Sequence, residues 1–291
     1  MLRKQLFFFV LLFAWSSASL HAAKIEHVII VSVDGLRPDA ISASTSPVIE
    51  ALKKNGVWAS HAHTIMPSIT LPSQTSMLTG RSVEVHKITW NDYYESKKGA
   101  LVVPTCLELA SRQGLSAAMF VGKEKFKHLQ SSNGSVYFSW PAIEAGGITQ
   151  AVLAYERKNK LPRLVFIHYP DTDVAGHQYG WMSPEYFSAL KKIDKSLSDI
   201  VNLVNQKAYQ ENTVIILTAD HGGKDKTHGR DIPEDMHIPW MTNGSMIQAG
   251  LVYEKPVVTY DTAATALSLL GVPVPVEWEG KALVLPMKSK D

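Results

Sequence analysis

The chain has 291 residues, 45% of them hydrophobic and 19% charged, which is enough for one large domain with a sizeable core. A formal net charge of +2, without a basic stripe, excludes a polyanion-binding module and predicts no specificity for nucleic-acid polymers. A single cysteine, Cys106, excludes an intrachain disulfide; its apolar helical setting in VPTCLELA predicts a core residue rather than a nucleophile.

In chain order, Arg3 and Lys4 precede the apolar run LFFFVLLFAW and the small-residue stretch SSASLHAA. This pattern predicts a signal peptide over residues 1–23, export to the periplasm or exterior, and no membrane span after cleavage. The run is short for a span, and an uncleaved anchor is the other reading. HVIIVSVDG then reads as a strand buried on both faces, and SPVIEALKKNGV as a helix stopped at Gly56. PTCLELASRQG into LSAAMFVG, and TQAVLAYERKN into RLVFIHYPD, each read as helix followed by strand. A long amphipathic helix, SPEYFSALKKIDKSLSDIVNLVNQKAYQ, leads to the strand NTVIILTAD, and TAATALSLLG is a last helix.

Alternating strands and helices predict an α/β fold: a three-layer αβα sandwich around a mostly parallel sheet, with residues 24–291 as one domain. Three strands end in carboxylates, at Asp34, at Asp171 and Asp173, and at Asp220. Ligands bind outside the carboxyl ends of strands in such sheets, so three acids at that edge point to a metal site.

The residue types agree. Asp220-His221-Gly222-Gly223 offers an oxygen and an imidazole where the backbone can turn sharply. Asp173 and His177 are four apart, on an expected turn just past a strand, and His228 follows His221 by seven. With Asp34 these residues amount to two three-ligand sites with open positions, as catalytic zinc requires. Two close metals suit phosphoryl transfer, which needs a nucleophile. In IMPSITLPSQTSMLTGR, Ser68 and Thr70 stand just before a predicted helix that begins with Pro72 in its first turn, where backbone N–H groups favour anionic phosphate.

The order of these motifs resembles the nucleotide pyrophosphatase/phosphodiesterase family of the alkaline phosphatase superfamily, over essentially the whole chain from about Lys24. SVDGLRPD is similar to the family's first metal motif and ITLPSQTSMLTGR to its nucleophile motif, which implies attack by Thr70. HKITWN resembles a segment whose asparagine holds a phosphoryl oxygen, here Asn91. PDTDVAGHQYG, ADHGG and KTHGRDIPEDMHIPW resemble the remaining ligand segments. Departures lie at Ser73-Gln74 and Lys87, and they bear on substrate preference more than on chemistry.

The resemblance implies two divalent metal ions, zinc by preference. Asp34, Asp220, His221 and the Thr70 oxygen hold one, and Asp173, His177 and His228 the other. Asn91 and the backbone N–H beside Thr70 hold equatorial oxygens. Asp171 competes with Asp173, and His237 with His228. The implied activity is phosphodiester or pyrophosphate hydrolysis of a small nucleotide-like substrate through a phosphothreonine. Neutral Asn91 leaves room for an ester arm unless Arg37, Arg81 or Arg230 reaches the site, and Trp90, Tyr93 and Tyr94 offer stacking surfaces. The alternatives are a phosphomonoesterase or phosphonate hydrolase with the same metals, a sulfatase-like relative, and an inactive binding protein on this fold.

Overall fold

The computed structural model describes residues 24–288; the expected signal peptide, residues 1–23, lies outside them. The first β-branched run forms β1 (His27–Val33), every residue of which is buried. It is followed by α1 (Pro47–Lys54), β2 (Val57–Ala59), β3 (Ala62–His63), α2 (Thr70–Thr79), α3 (Val83–His86) and α4 (Cys106–Arg112). Next come β4 (Ala117–Phe120), β5 (Tyr137–Ser139), α5 (Ala145–Asn159), β6 (Leu164–Tyr169), α6 (Asp171–Tyr179) and α7 (Pro184–Val204). The chain continues through β7 (Thr213–Thr218), α8 (Pro233–Met236), β8 (Trp240–Gly244), β9 (Leu251–Tyr253), β10 (Val257–Val258) and α9 (Asp261–Leu269).

Eight strands form one sheet in the order β5-β4-β6-β1-β7-β8-β2-β9, and β3 and β10 pair separately. The five strands from β5 to β7 run parallel, and β8 is antiparallel to both neighbours, so the sheet is mostly parallel. β6, β1 and β7 are buried throughout, as expected for strands covered by helices on both faces. α7 packs against α1, α5 and α6, while α9 packs against α2 and α4.

Register brings the acids together. Ser32 pairs with Thr218 and Val33 with Tyr169, so Asp34 and Asp220 each stand two residues past one pair. Both emerge at the same level of one edge, with the β6 acids alongside. The predicted element types hold, with two changes of extent. The segment after β6 is a helix rather than a turn, and α7 ends at Val204 rather than continuing to Gln210. Cys106 is fully buried, and burial pushes its thiol up to about 12, in keeping with a core role. Among the described residues no helix is long and apolar enough to cross a membrane.

Candidate active site at the strand ends

Asp34 and Asp220 leave the central strands with no exposed surface, and His221 follows directly. Asp220 Oδ1 accepts from the backbone N–H of Gly35 (3.2 Å) and of His221 (3.0 Å), which turns Oδ2 inward. His221 Nε2 lies 3.3 Å from Asp34 Oδ1 and 3.5 Å from Asp220 Oδ2. These three residues form one cluster whose ligand atoms lie within 4.8 Å of one another, and Asp173, His221 and His228 form a second. His177 stands beside the second cluster, its Nε2 3.4 Å from Asp173 Oδ1 and 3.1 Å from His228 Nε2.

The helical segment α6 explains the spacing of Asp173 and His177, since residues four apart share a helix face. Thr172 Oγ1 donates to the Asp34 carbonyl at 2.6 Å and ties the start of α6 to the end of β1. His228 is oriented through Nδ1, 2.9 Å from the Ser68 carbonyl, and stacks on His221 with ring centroids 3.7 Å apart. Trp181 braces the ligand loops. Its Nε1 donates to the Gly35 carbonyl at 2.9 Å, and its ring fills the space over Gly176 and Gly223. A Cβ on Gly176 would fall 2.7 Å from that ring, and one on Gly223 still closer, so only glycine fits either position.

Thr70 is the first residue of α2 and is buried. Its Oγ1 lies 3.5 Å from His221 Nε2. The backbone N–H beside it, on Leu71, donates to Asn91 Oδ1 at 2.9 Å. That N–H therefore orients the asparagine rather than facing outward, and the amide Nδ2 is left as the donor.

Three carboxylate oxygens, Asp34 Oδ1, Asp173 Oδ1 and Asp220 Oδ2, are buried without a hydrogen-bond partner. Unpaired buried anions are costly, and these three converge with imidazole nitrogens, so the clusters fit divalent metal ions. The titration behaviour reflects the crowding. Burial and the Asp34 charge push Asp220 up to about 7. His221 is raised to about 9 despite its burial, because Asp220 and Asp34 favour its cation. Burial and the neighbouring His221 lower His228 to about 4.

The other candidates lie elsewhere. Asp171 turns to the start of α5, accepting from Ala145 N–H at 2.9 Å, and burial raises it to about 6. His237 bridges to His63 and lines a separate cavity. Ser68 Oγ donates to the Arg230 carbonyl. Arg37 is engaged by Asp39 and the Gly223 carbonyl, Arg81 by Glu279 and Arg230 by Asp235. Trp90 and Tyr93 pack on His128, while Tyr94 is exposed.

Two residues that the sequence reading passed over complete the site. Lys123 Nζ lies 2.6 Å from both Asp34 Oδ2 and Asp173 Oδ2 and 3.5 Å from Thr70 Oγ1. Those carboxylates raise its pKa despite burial. His168 Nε2, fully buried in β6, lies 2.9 Å from Asp34 Oδ2. Two signals stood in the sequence: β4 ends at the same edge in Gly122-Lys123, and His168 interrupts an apolar strand.

The sequence model of the type I phosphodiesterase/nucleotide pyrophosphatase family matches residues 28–258. Human bis(5′-adenosyl)-triphosphatase is 25% identical over 212 residues, covering 67% of this chain and 47% of that protein. Human ectonucleotide pyrophosphatase/phosphodiesterase family member 1 is 25% identical over 222 residues, 67% of this chain and 23% of that one. The chain thus spans about half the length, or less, of these curated relatives. In fold it is similar to murine ectonucleotide pyrophosphatase/phosphodiesterase 5, with a TM-score of 0.73 at 15% identity, covering 86% of this chain and 96% of that one. It is also similar to a phosphonate monoester hydrolase from Silicibacter pomeroyi, with a TM-score of 0.65 at 15% identity, covering 89% and 76%. With the family match spanning the strand-end acids, α2 and the His221 and His228 loops, the chain belongs to the type I phosphodiesterase/nucleotide pyrophosphatase family.

Proposed function

We propose that the protein hydrolyses phosphodiester or pyrophosphate bonds of small nucleotide-like substrates, with Thr70 Oγ1 as the attacking atom. The observation that carries this is the convergence on one hydroxyl, 3.5 Å from both His221 Nε2 and Lys123 Nζ at the first residue of α2. In this mechanism Asp34, Asp220, His221 and Thr70 hold one divalent cation, and Asp173, His177 and His228 hold a second. Zinc suits their oxygen and imidazole donors. When bound, the cations supply Lewis-acid activation and neutralise developing charge.

The Thr70 oxygen forms a bond to phosphorus as the bond to the departing arm breaks. That arm leaves with the electron pair and is protonated from solvent. Water then cleaves the phosphothreonine, releasing the second product and restoring the hydroxyl. Asn91, oriented by Leu71 N–H, offers Nδ2 to an equatorial oxygen, and the start of α2 favours the anion. The murine relative of this fold has been captured in complex with AMP, and the triphosphatases it resembles act on dinucleotides by name, which supports a nucleotide-like substrate. The ectonucleotide names of the relatives, together with the charged, apolar and small-residue order of segment 1–23, support export of a single catalytic domain over 24–291.

Thr70→Ala is expected to keep its metal and lose turnover of bis-p-nitrophenyl phosphate, measured by metal content and p-nitrophenolate release. Retained turnover would sink the covalent mechanism. One observation favours a second reading, hydrolysis of phosphomonoesters or phosphonates. No arginine reaches the site, yet Lys123 places a cation beside Thr70. Faster turnover of p-nitrophenyl phosphate than of its bis ester would select that alternative.

A further inference from the structure

An ammonium has three N–H donors. Lys123 directs two at Asp34 Oδ2 and Asp173 Oδ2, and its Nζ also lies near Thr70 Oγ1, at the place where a substrate must sit. Two residues further on, Lys125 is half-buried, yet the charges that act on it are those of Lys123, Asp34, Asp173 and Asp92, with no hydrogen bond among them. No carboxylate of the described residues lies within ion-pair distance of Lys125, whereas Lys127 on the same segment pairs with Glu124 at 2.8 Å. Burial and the Lys123 charge lower the Lys125 pKa, as expected of a cation without a counter-charge.

Both lysines line a cavity of about 890 Å³ that meets the reacting centre at Lys123 and has Tyr93, Trp140 and Val174 in its walls. Acids share those walls, but the inner ones are engaged. Asp171 takes the Ala145 N–H, and Asp92 accepts from the Tyr94 hydroxyl at 3.4 Å. Glu144 and Glu185 are exposed at the rim. The cavity therefore offers an incoming molecule apolar and aromatic walls and an unanswered positive charge beside the scissile phosphorus.

We propose that Lys123 and Lys125 form a second-anion subsite, so that the substrate carries a further oxyacid group, a carboxylate or a second phosphate, on the arm next to the reacting phosphorus. This rests on the phosphodiesterase reading and narrows its substrate class. Lys125 is the specificity-determining residue, because it touches none of the residues that hold the metal-facing oxygens.

The test uses the metal-loaded full chain and three p-nitrophenyl phosphodiesters whose second arm is methyl, carboxymethyl or 2-phosphonoethyl, the last standing in for a second phosphate. The acidic arms should raise kcat/KM over the methyl arm by about tenfold, the effect of one charge-assisted contact. The larger gain identifies carboxylate or phosphate. Lys125→Met should bring the ratio close to one, and Lys125→Arg should restore it. Equal kcat/KM for all three esters, or a ratio unchanged in Lys125→Met, overturns the subsite. If no ester is hydrolysed, the phosphodiesterase reading fails separately. The subsite is then judged by calorimetric binding of the same esters to Thr70→Ala, where equal affinity across the three arms overturns it and tighter binding of the acidic arms upholds it.

Discussion

The two halves of the active site are built differently. Asp34, Asp220 and His221 stand at the ends of adjacent parallel strands, and none has exposed surface. Asp173, His177 and His228 come from a short helix and a loop, and the His177 side chain is 46% exposed. The inner half takes its geometry from strand register and cannot shift without disturbing the sheet. The outer half takes it from packing of α6, Trp181 and the His221–His228 stack, and it can adjust. A ligand on a rigid strand end should be indispensable, and one on an exposed helix face should be replaceable.

The sharpest way to break this comparison is Asp220→Asn set against His177→Ala. The first should lower turnover by on the order of 10³-fold or more and remove tightly bound metal that excess zinc does not restore, read by kcat and metal stoichiometry. His177→Ala should weaken metal affinity by about 10- to 100-fold and recover activity in added zinc. Equal losses, both beyond rescue, would mean that the two halves act as one unit.

The smallest expected effect concerns the support of Asn91. His86 is fully buried, its Nε2 2.9 Å from Ser76 Oγ, while its Nδ1 accepts from Ile88 N–H at 3.1 Å. The ring is therefore neutral, and burial lowers its pKa to about 4. Because the folded state binds the proton less readily than the unfolded chain, this stability is complete above about pH 6.5 and is lost as pH falls towards 4. The loss should be on the order of 2 kcal/mol, allowing for screening, and denaturant melts at pH 7 and pH 4.5 should show it. His86→Gln, which cannot take up a proton, should reduce that pH dependence; an unchanged slope would assign it to other groups.

The inner half was legible in the sequence because β-branched runs ending in Asp34 and in Asp220-His221 state both the strand and its terminus. The outer half was legible only as composition. DTDVAGH contains poor helix formers, and its helix is held by contacts distant in sequence, Thr172 to the Asp34 carbonyl and Trp181 over Gly176. The antiparallel β8 and the short β2, β5 and β9 went unread because three- to five-residue strands leave little periodicity. Lys123 and His168 escaped because strand ends were read for carboxylates, while their role depends on the pairing of β4, β6 and β1. Similarly, the sequence could name Arg37, Arg81 and Arg230 but not the acids and carbonyls that occupy them.

Trp181 also constrains how such a site can diverge. One indole covers the glycines that follow Asp220-His221 and precede His177, and it is bonded to the loop after Asp34. Replacing either glycine alone puts a side chain into the ring, and replacing Trp181 alone leaves three loops without their common brace. Substitutions at Gly176, Gly223 and Trp181 are therefore epistatic. Each is harmful singly and tolerated only in combination, so these three positions should change together or not at all among chains that keep this arrangement.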